Sequence, residues 1–244
     1  MPRIIVSPDA VLGDAVTGKD PDELHHLINV LRVKIGDRLE CFDGSGHRYA
    51  GPIVQRARHA LVMEIRERAT EPPRALTVTL AQSLISPERF EWVIQKSTEL
   101  GVDRILPLLT QRTTVRRLSR EQAERKLTRW RRIATEAATQ CGRATLPTIG
   151  LPQPLRAAVG SLDAQAHVLM PTLVTAAPSL KEELKTRSGL KAAVVLIGPE
   201  GDFTPEEVAL ARQHGARPVC LGGLTLRSET AAIATLAILQ HLLP

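Results

Sequence analysis

Residues 192–197 read Ala-Ala-Val-Val-Leu-Ile, apolar at every position. A strand with one wet face alternates, whereas a run this uniform is buried on both faces, as the central strands of a parallel sheet are. Six residues fall far short of the ~20 that cross a bilayer. The surroundings fit the same architecture. Residues 76–80, 104–109, 166–170 and 218–221 read as further strands, separated by helical patterns at 86–100, 121–141, 179–187 and 204–215 and followed by a last helix from Ser228 to about residue 242. Ser86-Pro87 and the capping box Thr204-Pro205-Glu206-Glu207 open two of these helices.

The first seventy residues differ. Stretches 3–6, 37–42, 47–55 and 59–66 alternate or carry branched residues, and Asp43-Gly44-Ser45-Gly46 is a hairpin turn. One helix over 21–31, with Asp20 as N-cap and Pro21 in its first position, interrupts them. Glu71-Pro72-Pro73 is a stiff punctuation. The sequence therefore predicts a small β-barrel over residues 1–72 and an α/β domain over 73–244. At 244 residues, the chain is long enough for a substantial core.

Charge is unevenly spread. Residues 1–72 hold 10 Lys/Arg and 11 Asp/Glu, residues 151–244 hold 8 of each, and residues 73–150 hold 14 against 7. The net +6 thus comes from the middle, chiefly from Arg112 to Arg132, where nine basic residues face only Glu121 and Glu124. Eight of the nine are arginine, the side chain suited to bidentate phosphate contacts. On a helix over 121–141, Arg125 and Arg132 lie opposite the apolar stripe and Arg129 and Arg131 flank it. The pattern predicts an RNA partner. Six aromatic residues in the whole chain cannot furnish base-stacking platforms, so phosphate and shape recognition are expected.

Other chemistries are excluded by pattern. Cys41, Cys141 and Cys220 are too few and too scattered for a disulfide framework or a zinc ligand set, and read as buried thiols in a reducing, cytoplasmic setting. His25 and His26 are adjacent on a helix and point about 100° apart, so no metal site is expected. The first eighteen residues lack a basic start followed by an apolar stretch, so no secretory signal is expected.

Two loops at predicted strand ends carry glycines and charge: Ile197-Gly198-Pro199-Glu200-Gly201-Asp202, and Leu221-Gly222-Gly223-Leu224-Thr225-Leu226-Arg227 leading into Ser228-Glu229. Open α/β sheets bind ligands at this end. Neither loop has a dinucleotide or P-loop fingerprint. These features alone suit either an enzyme or a non-catalytic RNA-binding or ribosome-assembly factor.

Several blocks decide between them. Gln82-Ser83-Leu84, the run from Ile94 to Val102, Pro107 with Arg112, Glu136-Ala137-Ala138 to Arg143, Ile197 to Gly201, and Leu226 to Ala231 resemble the RsmE family, as do His25-His26-Leu27 and Val30-Leu31-Arg32. The chain departs from the family pattern at Asp202, where a second glycine is usual, and at Leu224-Thr225, where a basic-aliphatic pair is usual. The resemblance implies a PUA-like N-terminal barrel, a C-terminal SPOUT-type parallel sheet with a deep trefoil knot, and a homodimer. It implies transfer of a methyl group from S-adenosylmethionine to N3 of a uridine in 16S ribosomal RNA of the small subunit. On it we assign the cofactor walls to Leu169, Met170 and Pro171, to Leu196, Ile197, Gly198, Pro199, Glu200 and Gly201, and to Leu221, Gly222 and Leu226. Arg227, Glu229 and Glu200 are the catalytic candidates, and Gln82, Arg112, Arg116, Arg125, Arg129 and Arg132 the RNA contacts.

Overall fold

The computed structural model describes residues 1–57, 59–113, 115, 118–173, 177–185 and 189–242. Two compact units emerge: Met1–Pro73 with Thr135–Leu146, and Arg74–Ala134 with Pro147–Pro244.

The first unit is built on a seven-stranded mixed sheet. Its strands are β1 (Arg3–Ile5), β2 (Val11–Leu12), β3 (Ala15–Gly18), β4 (Arg38–Phe42), β5 (His47–Ala57), β6 (Ala60–Glu64) and β7 (Glu67–Thr70). They lie in the order β1-β4-β5-β6-β3-β2, with β7 also on β5. Only β1 and β4 run parallel. The register of β5 shifts between Ile53 and Gln55. At Gly51 a Cβ would stand 1.8 Å from the Glu64 carbonyl oxygen, so this approach of backbones admits glycine alone. Val16, Leu27, Leu39, Ile53 and Met63 form the core.

The helix expected over 21–31 is α1 (Pro21–His25) followed by a π-helical turn (His26–Val30), and Asp20 caps it by accepting the Glu23 amide at 3.0 Å. Residues 135–146 join this unit through the Leu146 amide on the Gly44 carbonyl and the Thr145 amide on Glu71. Of the three thiols only Cys41 is fully buried; Cys141 is exposed and Cys220 intermediate. Burial pushes the Cys41 thiol up to about 12.

The second unit has strands β8 (Thr77–Ser83), β9 (Arg104–Leu109), β10 (Thr148–Ile149), β11 (Gln153–Pro154), β12 (His167–Pro171), β13 (Ala192–Ile197) and β14 (Arg217–Val219). The order is β10-β9-β8-β13-β12-β14, with β11 also on β9. Every pairing in it is parallel, as the uniform apolar run requires. That run is β13, whose residues alternate between two cores. Ala193, Val195 and Ile197 face Phe90, Val93 and Ile94 of α2 (Pro87–Glu99), Trp130 of α3 (Arg120–Cys141), Leu180 and Leu184 of α5 (Leu180–Lys185), and Leu236 of α7 (Ser228–Leu242). Val194 and Leu196 face Leu155 and Val159 of α4 (Leu155–Gly160) and Ala211 of α6 (Pro205–Gln213). The Phe90 and Trp130 rings pack 4.7 Å apart. Among the described residues no helix is long and apolar enough to cross a membrane.

Candidate functional site

Three loops meet over the carboxyl ends of β12, β13 and β14. They enclose a cavity of about 360 Å³, lined by Pro171–Leu173 and Ala177, by Ile197–Glu200 and Asp202, and by Cys220–Leu226 with Ser228 and Ala231 of α7. That volume falls at the lower end of small-molecule sites. Among the described residues its lining holds two carboxylates, Glu200 and Asp202, and no lysine or arginine. Gly222, at φ 135°, and Gly223 have nothing within 4 Å of a built Cβ, which leaves their backbone open to close approach.

A buried polar relay fixes the floor. Gln82 Nε2, at the end of β8, donates to Ser228 Oγ at 2.8 Å and to the Ser83 carbonyl at 3.0 Å. Ser228 Oγ in turn donates to the Gly198 carbonyl. Gln82 Oε1 is buried without a hydrogen-bond partner among the described residues. The hydroxyl of Ser228, the first residue of α7, is thus committed to the neighbouring loop.

The next loop is set by a capping box: Thr204 Oγ1 accepts the Glu207 amide and Glu207 Oε2 the Thr204 amide. Glu207 Oε1 also accepts the Gln111 amide at 2.8 Å, which ties the segment after β9 to α6. Arg112 then reaches the Gly201 carbonyl with Nη1.

At the rim, Arg89 of α2 stands between two carboxylates, 3.5 Å from Glu200 Oε1 and 3.6 Å from Glu229 Oε1. Glu229 is 12% exposed, and its Oε2 is buried without a partner. Arg89 carried no signal in the sequence, since an arginine in a first helical turn is ordinary. Arg227 is exposed and stands two residues before Glu229 in the chain.

Of the residues assigned from sequence to the cofactor walls, the cavity brings together Pro171, Ile197, Gly198, Pro199, Glu200, Leu221, Gly222 and Leu226. The side chains of Leu169, Met170 and Leu196 pack in the two cores instead, because a covered strand sends successive side chains to one face of the sheet or the other rather than toward its end. Gly201 lies against Arg112. Thr172, Leu173, Asp202 and Ser228 line the cavity and were missed, although Asp202 stood out as a departure from the family pattern.

Among the assigned RNA contacts, Gln82 is fully buried in the relay. Arg129 is held bidentately by Glu91, with Nη2 to Oε2 at 2.8 Å. Arg125 is exposed and only 3.8 Å from Glu121, and Arg132 is exposed. Arg116 lies outside the described residues. Among the described residues no His, Cys, Asp or Glu cluster could hold a metal ion.

Comparison with known proteins agrees with this geometry. An RNA methyltransferase domain model matches residues 72–240, and an RNA methyltransferase PUA domain model residues 19–64. The chain is 37% identical to ribosomal RNA small subunit methyltransferase E of Synechocystis sp., over 99% of this chain and 78% of that protein. It is 28% identical to the Bacillus subtilis protein of the same name, over 93% and 89%. The structure resembles ribosomal RNA small subunit methyltransferase E of Neisseria gonorrhoeae bound to S-adenosylmethionine, with a TM-score of 0.87 and 32% identity over 100% of this chain and 98% of that one. A putative methyltransferase of Legionella pneumophila with bound S-adenosylmethionine gives 0.86 and 30%, over 98% and 96%. The chain belongs to the ribosomal RNA small subunit methyltransferase E (RsmE) family of RNA methyltransferases.

Proposed function

We propose that this protein is an S-adenosylmethionine-dependent methyltransferase acting on N3 of a uridine in 16S ribosomal RNA, within the small subunit or its precursor. The observation that carries the reading is the lining of the cavity: two carboxylates, open glycine backbone and, among the described residues, no cationic side chain. Such a lining disfavours a phosphorylated nucleotide and suits a nucleoside bearing a positive charge. S-adenosylmethionine is that chemistry, and when bound it supplies an electrophilic methyl group. We assign Pro171, residues 197–200, Asp202 and residues 221–226 to its walls.

N3 of uridine carries a proton at neutral pH, so this chain must help remove it and stabilise negative charge that develops on the base. Arg227, exposed at the rim, takes the electrostatic role. Glu229, largely buried and held by Arg89, takes the proton, and Glu200 orients the same arginine. Arg112 and the exposed arginines of α3 hold phosphates. Residues 1–72 serve as the RNA-binding domain and residues 73–244 as the catalytic domain. The enzyme works as a homodimer in the cytoplasm, with its C-terminal segment threaded into a trefoil knot. The return of the chain from edge strand β14 to Ser228, against Gln82 of β8, supports that threading.

Mapping methylated nucleosides in ribosomal RNA from cells with and without the protein tests the reading. Loss of one N3-methyluridine is expected, and an unchanged map refutes it. Arg227→Ala should bind cofactor normally and transfer methyl slowly at saturating RNA. Normal transfer would remove Arg227 from catalysis.

A further inference from the structure

We infer that Asp202 is a positioning residue, a carboxylate staple that holds two walls of the cofactor cavity at a fixed separation before ligand arrives. The inference rests on the cavity being the S-adenosylmethionine site.

Asp202 has φ 60°, one of two non-glycine residues with positive φ among those described. An L-residue there is strained unless a short polar side chain bonds locally. Asp202 does so: Oδ1 accepts the Phe203 amide at 2.8 Å. The other oxygen reaches across the cavity wall. Oδ2 accepts both Thr172 Oγ1 and the Leu173 amide, each at 2.9 Å, thirty and twenty-nine residues away in sequence. Thr172 and Leu173 follow β12, Asp202 follows β13, and all three line the cavity. The carboxylate occupies space that glycine leaves open, since a Cβ on Gly198 would stand 3.0 Å from Asp202 Oδ1.

Three donors converge on this one group. A carboxylate accepts from all three, whereas an amide in either orientation turns an NH2 toward at least one of them. With the walls already joined, a ligand does not pay to order them, which is how preorganisation raises affinity. The staple acts on binding rather than on the methyl-transfer step.

The test uses the full chain with Asp202→Gly and Asp202→Asn, S-adenosylmethionine binding by calorimetry, methyl-transfer kinetics, and hydrogen exchange of the ligand-free protein. Glycine accepts the same φ, so relief of strain should offset part of the three lost bonds and the protein should stay folded with a lowered Tm, while Kd and KM for the cofactor rise about tenfold. Asparagine should fall between, with kcat at saturating cofactor within about twofold of wild type for both variants. The Leu173 amide should be protected in wild type and lose protection in Asp202→Gly. A Kd within twofold of wild type in both variants, or a Leu173 amide equally protected without the carboxylate, overturns the staple. If wild type binds no S-adenosylmethionine, the functional reading falls separately, and Leu173 protection alone then upholds or overturns the staple.

Discussion

Replacing Ser228 by alanine is expected to destabilise the second unit well beyond an ordinary serine truncation. Ser228 is 6% exposed, and its hydroxyl makes two bonds: it accepts Gln82 Nε2 and donates to the Gly198 carbonyl. Each buried bond is worth about 1 kcal/mol net, and a stranded buried partner adds roughly 1–3 kcal/mol. Gln82 Nε2 keeps the Ser83 carbonyl, so only the Gly198 carbonyl is stranded. The loss should therefore be about 3 kcal/mol, or roughly 6–12 °C in Tm for a chain of this size. Calorimetry on Ser228→Ala measures it. Gln82→Leu removes the other end of the relay together with the unpartnered Oε1, so the double variant should cost less than the sum of the singles by about 1 kcal/mol. Additive singles, or a Ser228→Ala loss below about 1 kcal/mol, would show that the relay is not a unit.

Burial, with repulsion from Asp20, pushes the Glu23 carboxyl up from 4.5 to about 7. A folded-state pKa above the unfolded one favours the neutral form, so stability present below pH 4.5 should decline toward pH 7 and then level. With the group half-exposed, we expect roughly 1–2 kcal/mol across that window, and urea titrations of Glu23→Gln should lack the slope. For RNA, Arg125→Gln should lower the slope of log affinity against log salt by about 0.7, the share of one phosphate contact on single strands. Arg129→Gln should change it less, because Glu91 holds that guanidinium bidentately whereas Glu121 stands 3.8 Å from Arg125; an equal effect of the two would reject the distinction. Arg89→Met should slow methyl transfer about tenfold at saturating substrates, with Arg89→Lys partly restored, and equal loss in both variants would remove the charge argument.

The fold was legible where a pattern is local. The apolar run of β13, the period of α3 and the capping box of α6 each report their own environment within a few residues, and the all-parallel sheet follows from the first. The extra members of the N-terminal unit were not legible. Thr145 joins through Glu71, 74 residues earlier, and nothing near either residue announces the other. Short elements such as β2, β10 and α4 are made by pairing and packing rather than by propensity, and left no periodic trace. In the site, the glycine-bearing loops stood out because glycine and charge at strand ends are unusual. Leu169, Met170 and Leu196 were misjudged for cavity lining because proximity in sequence does not tell which face of a strand a side chain takes. Arg89, Ser228 and Asp202 work through partners more than twenty-five residues distant, so their roles are visible only in three dimensions.

The charge arrangement around the cavity also explains how a donor and a polyanion share one enzyme. Helices α6 and α7 both begin at the carboxyl end of the sheet, and their N-termini carry partial positive charge. Left open, such ends gather phosphate. Here the first turn of α6 is closed by its own capping box, and carboxylates crowd both starts: Glu206 and Glu207 on α6, Glu229 on α7, Glu200 and Asp202 in the loop between β13 and α6. The cavity is thereby turned from an anion trap into a site that tolerates a cation. The same field repels RNA phosphate, which is why the proposed reading gives phosphate contact to arginines outside the cavity, such as Arg112, Arg125, Arg132 and Arg227. Its base, the one part without charge, is what can approach the carboxylate-lined mouth. On the proposed reading, a basic side chain inside the lining would invite phosphate where the methyl donor is to sit, and the described residues of that lining include no lysine or arginine.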